Sequence, residues 1–265
     1  MRKANYLNNK DILQEIHLSK NSFCSFIDKS YHQYDDILMS INQINNNTIE
    51  SAKENKIKRL TSENKSLTLT TNDIKKSDII FRIMTFDHIP DDPSRKKNPK
   101  SIADTKVKIN FPPFQHWKFN DNNELTCVGK SHWKGDVDTG IFCMTHGIAT
   151  DKLALMWMKL CERYATRGNV RGYTYNDEMR GQAILQLAQI GLQFDESKSQ
   201  NPFAYYTAAV ANSFVRVINL EKRNQNIRDD ILEMNNMNPS YTRQANDEWE
   251  VALKREKEFQ ENNTF

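Results

Sequence analysis

The spacing of apolar residues between positions 150 and 234 constrains the fold more than any other feature of this sequence. Thr150 or Asp151 can cap a helix in which apolar residues recur every three or four positions and therefore share one face. Those residues are Leu153, Met156, Trp157, Leu160 and Tyr164. The two glycines of RGNVRGY follow and end the helix. The pattern predicts a first amphipathic helix that packs against a core.

Two more helices follow in the same style. The second covers about residues 176–193, and the third begins at Pro202, because the first turn of a helix does not need the N–H that proline lacks. The third continues through Asn224 to about Met234. Core candidates on these two helices are Met179, Ala183, Leu187, Ile190, Phe194, Phe203, Val210, Phe214, Val217 and Ile218. Three such helices with short breaks predict a helical bundle that contains the main hydrophobic core.

Two shorter patterns lie outside this bundle. Residues 5–18 predict a short amphipathic helix capped by Asn9, and its apolar face is formed by Ile12, Leu13, Ile16 and Leu18. Between about 106 and 146 the apolar spacing changes to a period of two, in the runs VKINF, HWKF, LTCVG and IFCM. Several strands are needed for such a unit to be stable, so we expect a small antiparallel sheet that leans on the helices.

The composition limits how much of the chain can be packed. Hydrophobic residues make up 38% of the sequence, against roughly 45–50% in an average soluble domain. Polar stretches such as NQINNNTIESAKENKIKRLTSENKS between residues 19 and 66 have little apolar surface to offset the entropy of ordering. The predicted fold class is therefore mainly α, with a small antiparallel β insertion and partly disordered polar segments.

The predicted organisation follows from these patterns. It consists of an N-terminal amphipathic helix (1–20), a polar variable insertion (21–105), a small β unit (106–149), a helical domain (150–234) and a charged C-terminal tail (235–265). No apolar run is long enough to cross a membrane, and the N-terminus lacks the apolar core of a secretory signal. We therefore expect a cytoplasmic protein whose four cysteines are reduced. The net charge of +3 is too mild to indicate a nucleic-acid partner by itself.

Catalytic motifs are absent from the sequence. It contains no glycine-rich phosphate loop, no G-x-S-x-G and no H-E-x-x-H, so we expect neither an enzyme nor a cofactor. One arrangement has the ligand types of a zinc site: Cys127 and His132, then Cys143 and His146. The first pair has an unusual spacing and the segment reads as strands, so ordinary strand cysteines and surface histidines are the preferred interpretation, with zinc as the alternative.

The third helix carries residue types that suit nucleic acid. Tyr205 and Tyr206 lie near its start, and an amide and three cations follow along its length. These are Asn212, Arg216, Lys222 and Arg223. Aromatic rings can stack on unpaired bases, amides can read base edges, and cations can bind phosphates. A solvated charged helix face is the alternative interpretation.

The segment EMRGQAILQLAQIGLQFDESKSQNPFAYYTAAVANSFVRVINLEKR resembles conserved region 2 of bacterial sigma factors, and most closely the late-transcription sigma factors of T-even-like tailed bacteriophages. The matching features are Glu178 opening a helix, Phe194 and Asp195, the basic Lys198, and the aromatic-rich helix from Pro202. NYLNNKDILQ near the N-terminus is similar to the start of the phage factors. The resemblance covers about residues 5–18 and 150–225, and residues 20–148 look like a lineage-specific insertion.

The resemblance implies a partner for the second helix. In this family the corresponding helix docks on the coiled coil of the RNA polymerase β′ subunit, which places Glu178 and Gln182 on the contact face. The family has a glutamine one turn into the helix, where this chain has Gly181. The implied partner is the RNA polymerase core of the bacterial host.

For the third helix the resemblance implies promoter contacts. Tyr205 corresponds to the aromatic residue that stacks on the flipped adenine of the −10 element, and Asn212 to the amide that reads the upstream end of the element. Arg216 lies one turn further on, and Lys222 and Arg223 would bind phosphates in a salt-dependent manner. The implied function is that of a virus-encoded sigma factor that directs host polymerase to AT-rich late promoters and aids their opening.

Two departures from the family pattern affect the implied mechanism. Ala208 and Ala209 replace the paired tryptophans that wedge the duplex open, which suggests weaker autonomous melting and help from an AT-rich sequence or a late coactivator. The phage factors bind the replication sliding clamp through a hydrophobic tail, whereas this chain ends in EFQENNTF with only Phe259 and Phe265 as apolar residues. Two alternatives remain: a non-catalytic phage scaffold or interaction protein with a sigma-like helical core, and a zinc-dependent nucleic-acid enzyme.

Overall fold

In a computed structural model of the chain, the structure describes residues 7–64, 69–89, 109–132 and 148–262. The helices in these ranges are α1 (Asn9–Asn21), α2 (Asn46–Glu63), α3 (Asp151–Ala165), α4 (Asn176–Ile190), α5 (Pro202–Met234) and α6 (Tyr241–Asn262). The strands are β1 (Cys24–Phe26), β2 (Asp36–Leu38), β3 (Ile80–Met84), β4 (Phe114–Phe119) and β5 (Leu125–Ser131). None of the described helices combines the length and the apolar character needed to cross a membrane.

All five strands belong to one mixed sheet with the order β1-β5-β4-β3-β2. β2 pairs with β3 in parallel, and the other neighbours are antiparallel. The predicted class, mainly α with a small antiparallel insertion, is therefore wrong, because the sheet is a full layer of an α/β fold. Of the four predicted strand runs, HWKF and LTCVG lie in β4 and β5, and IFCM lies outside the described residues. VKINF lies mostly outside them as well, and its described end is not a strand.

The polar stretch that was expected to be partly disordered supplies much of this layer. β1 and β2 have three residues each, which is too short for a period-two pattern, and each is held by pairing with a longer strand. α2 begins with a capping box, in which the Asn45 side chain accepts from the Thr48 N–H at 3.0 Å and the Thr48 hydroxyl oxygen accepts from the Asn45 N–H at 2.8 Å. Residues 21–64 are therefore ordered by tertiary pairing and local capping rather than by apolar content.

The sheet lies between two helical layers because its side chains alternate between its faces. Phe81 and Ile83 of β3 face α2, where Ile49 and Ala52 complete a small core. Phe114 of β4 faces the opposite way and joins the larger core of the helical bundle. The result is a three-layer arrangement of α2, the sheet, and a bundle of α1, α3, α4 and α5.

The bundle is close to the sequence prediction. Thr150 caps α3, with its hydroxyl oxygen accepting from the Leu153 N–H at 3.2 Å, whereas α1 is capped by Asn8 and not by Asn9. Edge-to-face pairs of Trp157 with Tyr206 and of Tyr164 with Phe214 join α3 to α5. The bundle core is formed mainly by Ile12, Ile16, Leu153, Trp157, Met179, Leu187, Val210 and Phe214.

The sheet unit leaves and re-enters the bundle at neighbouring points. The Ser22 hydroxyl donates to the Ile148 carbonyl at 3.0 Å and accepts from the Ile148 N–H at 3.0 Å. Nearby, the buried Glu15 accepts from the Thr150 hydroxyl at 2.8 Å and from Lys152 Nζ at 2.9 Å. These contacts fasten the end of α1 to the start of α3, on either side of the sheet unit.

Candidate nucleic-acid interface

The polar residues predicted to read DNA lie on one side of α5. Tyr205, Asn212 and Arg216 are seven and four residues apart, which places them within a sector of about 40° around the helix axis. Asn212 and Arg216 are exposed and Tyr205 is half-buried. The buried face of α5 is centred roughly 110° away and contains Tyr206, Val210, Phe214 and Val217. The structure therefore brings the three side chains together on a stripe that faces solvent.

Tyr205 is held in place by the end of α4. Its hydroxyl donates to the Ile190 carbonyl at 3.2 Å, and its ring centroid lies 5.5 Å from that of Phe194 and 5.6 Å from that of Tyr206. Burial raises the pKa of the Tyr205 hydroxyl, so this donor remains protonated at neutral pH. A half-exposed ring with a fixed position is suited to stacking on a base, because little side-chain entropy remains to be lost.

The cations of α5 differ in their surroundings. Arg216 and Arg223 are exposed and form no ion pair with any described residue. Lys222 lies at the edge of an open groove of about 580 Å³ between α5 and α6. Four carboxylates also line this groove: Asp229, Asp230, Asp247 and Glu250. Because these carboxylates repel phosphate, Arg216 and Arg223 are better placed than Lys222 to bind a nucleic-acid backbone.

A second exposed stripe lies on α4. Glu178 and Gln182 are exposed and one turn apart, as a docking face requires. Leu185 continues the same stripe and is 57% exposed, so the stripe has an apolar centre between polar ends. A Cβ added at Gly181 would meet nothing within 4 Å, which shows that packing does not require glycine at this position.

The zinc arrangement gains no support from the described half of its residues. The Cys127 thiol donates to the Gly129 carbonyl at 3.5 Å, and burial raises its pKa. The His132 ring is hydrogen-bonded to the Ser25 hydroxyl. Cys143 and His146 lie outside the described residues. Within the ranges that the structure covers, no three His, Cys, Asp or Glu side chains are grouped as metal ligands.

The sequence prediction missed a buried ionic cluster between the sheet and the bundle. Arg82 of β3 is 0% exposed, and its guanidinium lies 3.9 Å from the ring centroid of Tyr34 and 3.8 Å from that of Phe114. Arg82 Nη1 donates to Glu196 Oε2 at 2.7 Å, and Nε donates to His116 Nε2 at 3.0 Å. Glu196 belongs to the segment between α4 and α5, so this contact joins the sheet to the start of α5.

Lys20 of α1 is the second buried cation of the cluster. Its Nζ lies 3.4 Å from Glu196 Oε1 and donates to the Phe194 carbonyl at 2.8 Å. Burial and the nearby Arg82 charge hold the pKa values of His17 and His116 well below their usual range, so both imidazoles are neutral. The cluster therefore contains two cations and a single carboxylate.

Part of this cluster had a signal in the sequence. Arg82 interrupts the otherwise apolar run IIFRIM, and an arginine in such a run is either at a sheet edge or buried with partners. Glu196 had no such signal, because its partners come from distant segments. Comparison of the chain with models of known protein families, with curated proteins and with solved structures finds no match.

Proposed function

We propose that this chain is a virus-encoded promoter-specificity subunit that acts in the cytoplasm of an infected bacterium. It binds the host RNA polymerase core through the exposed stripe of α4 and directs the enzyme to AT-rich, −10-like promoter elements through α5. The observation that carries the proposal is the α5 stripe, where an aromatic ring, an amide and a guanidinium share one solvent-facing side. The polymerase performs the chemistry, and this chain supplies recognition.

The proposed division of labour is physically consistent. TA steps are easily unstacked, so an AT-rich element costs less to open than a GC-rich one. Stacking of an unpaired base on Tyr205 can contribute about 1–3 kcal/mol. Ala208 is exposed, but Ala209 packs against the bundle core, so this part of α5 offers no large wedge to force strands apart. Opening then depends on the weakness of the promoter sequence and on the polymerase or a late coactivator.

Run-off transcription with purified bacterial core polymerase tests the proposal. Templates with an AT-rich −10-like element and with a GC-substituted element are compared, with and without this chain. Asn212→Ala and Arg216→Ala should each reduce open-complex formation about tenfold, since one base or phosphate contact is lost. Arg228→Ala is the matched control, because Arg228 is an exposed arginine of α5 that lies about 120° around the helix from Arg216.

Polymerase binding separates the two surfaces. Glu178→Lys should weaken retention by the core polymerase, whereas Glu162→Lys on the exposed side of α3 should not. Asn212→Ala and Arg216→Ala should leave retention unchanged. Equal loss of both activities in these two variants would indicate a folding defect and would contradict the assignment of their roles.

A non-catalytic interaction protein is the second candidate, and the apolar side of α6 favours it. Trp249 is 67% exposed, and Leu253 and Phe259 are also exposed on this helix. The sigma-factor resemblance makes the phage sliding clamp the proposed partner of the C-terminal region, where Phe259 is described and Phe265 is not. A pure scaffold would bind its partner and leave transcription from AT-rich promoters unchanged.

A further inference from the structure

The buried ionic cluster reaches the proposed DNA-reading residue through a short series of contacts. Arg82 of the sheet and Lys20 of α1 hold opposite oxygens of the Glu196 carboxylate. Lys20 also binds the carbonyl of Phe194, and the Phe194 ring packs against Tyr205. The segment before α5 is therefore fixed from two other parts of the fold.

We infer that the sheet unit positions the DNA-reading helix, with Arg82 acting through Glu196 and Lys20 acting through Phe194 to fix Tyr205. Arg82 is in this sense a positioning residue that touches neither DNA nor polymerase. The inference rests on the proposed function of α5. It assigns to the sheet unit, which lies between the two segments that resemble sigma factors, a role in promoter recognition.

The chemistry of the cluster argues against a role in stability alone. Removing two cations and a carboxylate from water is costly, and apolar residues of similar volume are often at least as stabilising. The neighbours of Arg82 along β3 are apolar and buried, so a methionine or leucine would suit the strand pattern. An arginine instead supplies direction, because its planar fork is fixed between two rings and can bind only a correctly placed carboxylate.

The geometry also explains why the contact is specific to Glu196. His116 Nδ1 lies 2.8 Å from the Tyr31 carbonyl, to which it donates, so its Nε2 is free to accept from Arg82 Nε. With Nε used in this way, Nη1 is the part of the fork that points at Glu196 Oε2. The orientation of the guanidinium is thereby set by the sheet and transmitted to the segment before α5.

Hydrogen exchange of the full chain tests the positioning directly. Glu196→Gln removes the charge while keeping the size, and amides of residues 194–206 should exchange at least about tenfold faster, while those around Val217 are unchanged. Arg82→Lys keeps the charge but not the fork, and should give an intermediate effect. Lys198→Ala is the matched control, because Lys198 is exposed in the same segment and pairs only with Asp195 at 3.3 Å.

A promoter readout completes the experiment. Holoenzyme with Glu196→Gln should bind a −10-like oligonucleotide carrying 2-aminopurine at the unpaired adenine about tenfold more weakly, with unchanged affinity for core polymerase. Unchanged exchange in residues 194–206, or promoter binding that falls only in step with thermal stability and polymerase affinity, would overturn the inference. Faster exchange in a protein whose wild type binds no promoter would support the positioning and overturn the proposed function alone.

Discussion

Gly181 is the residue at which this chain departs from the family pattern of the polymerase-docking helix, and the structure makes that departure testable. The position is exposed in the interior of α4, and an added side chain would meet open space. Gly191 presents the opposite case, because a Cβ there would lie 2.2 Å from Cζ2 of Trp157. Two glycines that look alike in the sequence thus have different reasons to be present.

Gly181→Gln should raise the free energy of unfolding by about 0.5–1 kcal/mol, because glycine is a poor helix former. If α4 docks on polymerase as proposed, the new amide should also increase affinity for the core enzyme. Urea denaturation and a polymerase pull-down measure the two effects, with Gly172→Gln in an exposed loop as the control. Increased stability with reduced polymerase binding would place the docking face elsewhere.

Several residue-level predictions could not be made from spacing alone. Phe203 was expected in the core and is exposed, whereas Tyr206 was not among the core candidates and is fully buried with its hydroxyl donating to the Gly191 carbonyl at 2.7 Å. Leu18 was placed on the buried face of α1 and is exposed. These outcomes depend on where neighbouring helices cross, which periodicity does not encode.

At the scale of elements, α6 contacts α5 through polar groups and presents apolar residues to solvent. Arg243 pairs with Asp230 at 2.7 Å and with Glu233 at 3.0 Å, and the Ser240 hydroxyl donates to Asp229 at 2.7 Å. Exposed ion pairs contribute little to stability. The structure thus predicts that α6 is an interaction element and not part of the folding core.

A truncated chain ending at residue 238 tests this role of α6. The free energy of unfolding of the remainder should change by less than about 1 kcal/mol, since only exposed polar contacts are lost. Circular dichroism should show the loss of one helix, and denaturant unfolding of the full and shortened chains gives the comparison. A loss as large as that of a core substitution would show that α6 packs against the bundle in solution.

Helices were predictable here and the sheet was not, for a physical reason. The periodicity of α3, α4 and α5 is a local property of the sequence, so their existence and approximate ends follow from it. β1 and β2 are stable only because β5 and β3 lie beside them. Pairing between strands that are far apart in sequence leaves no local pattern, and the α/β class was missed as a result.

At the scale of the whole molecule, the interface between sheet and bundle should make the fold sensitive to acid. Burial lowers the pKa values of His17 and His116, and charges on Arg82, Lys20 and His32 face the His17 ring. In the unfolded chain both histidines bind protons near the ordinary value of 6.5. The unfolded state therefore binds more protons as the pH falls through that value, and stability decreases.

Urea unfolding at pH 7.5, 6.5 and 5.5, a range set by the ordinary histidine pKa of about 6.5, measures this effect. The midpoint should fall with pH in the wild type. His17→Gln keeps an acceptor for Arg82 but cannot be protonated, so its midpoint should fall less steeply. An identical pH dependence in the two proteins would contradict the assignment of His17 as a buried neutral imidazole.

The hydrogen bonds between Ser22 and Ile148 have an evolutionary consequence. Since the chain leaves the helices and returns to them at almost the same point, an ancestor could have acquired everything between these residues as a single cassette, without re-threading its older helices. Once present, such a cassette could be recruited as a scaffold for its host, and Arg82 is the place where that dependence was built in.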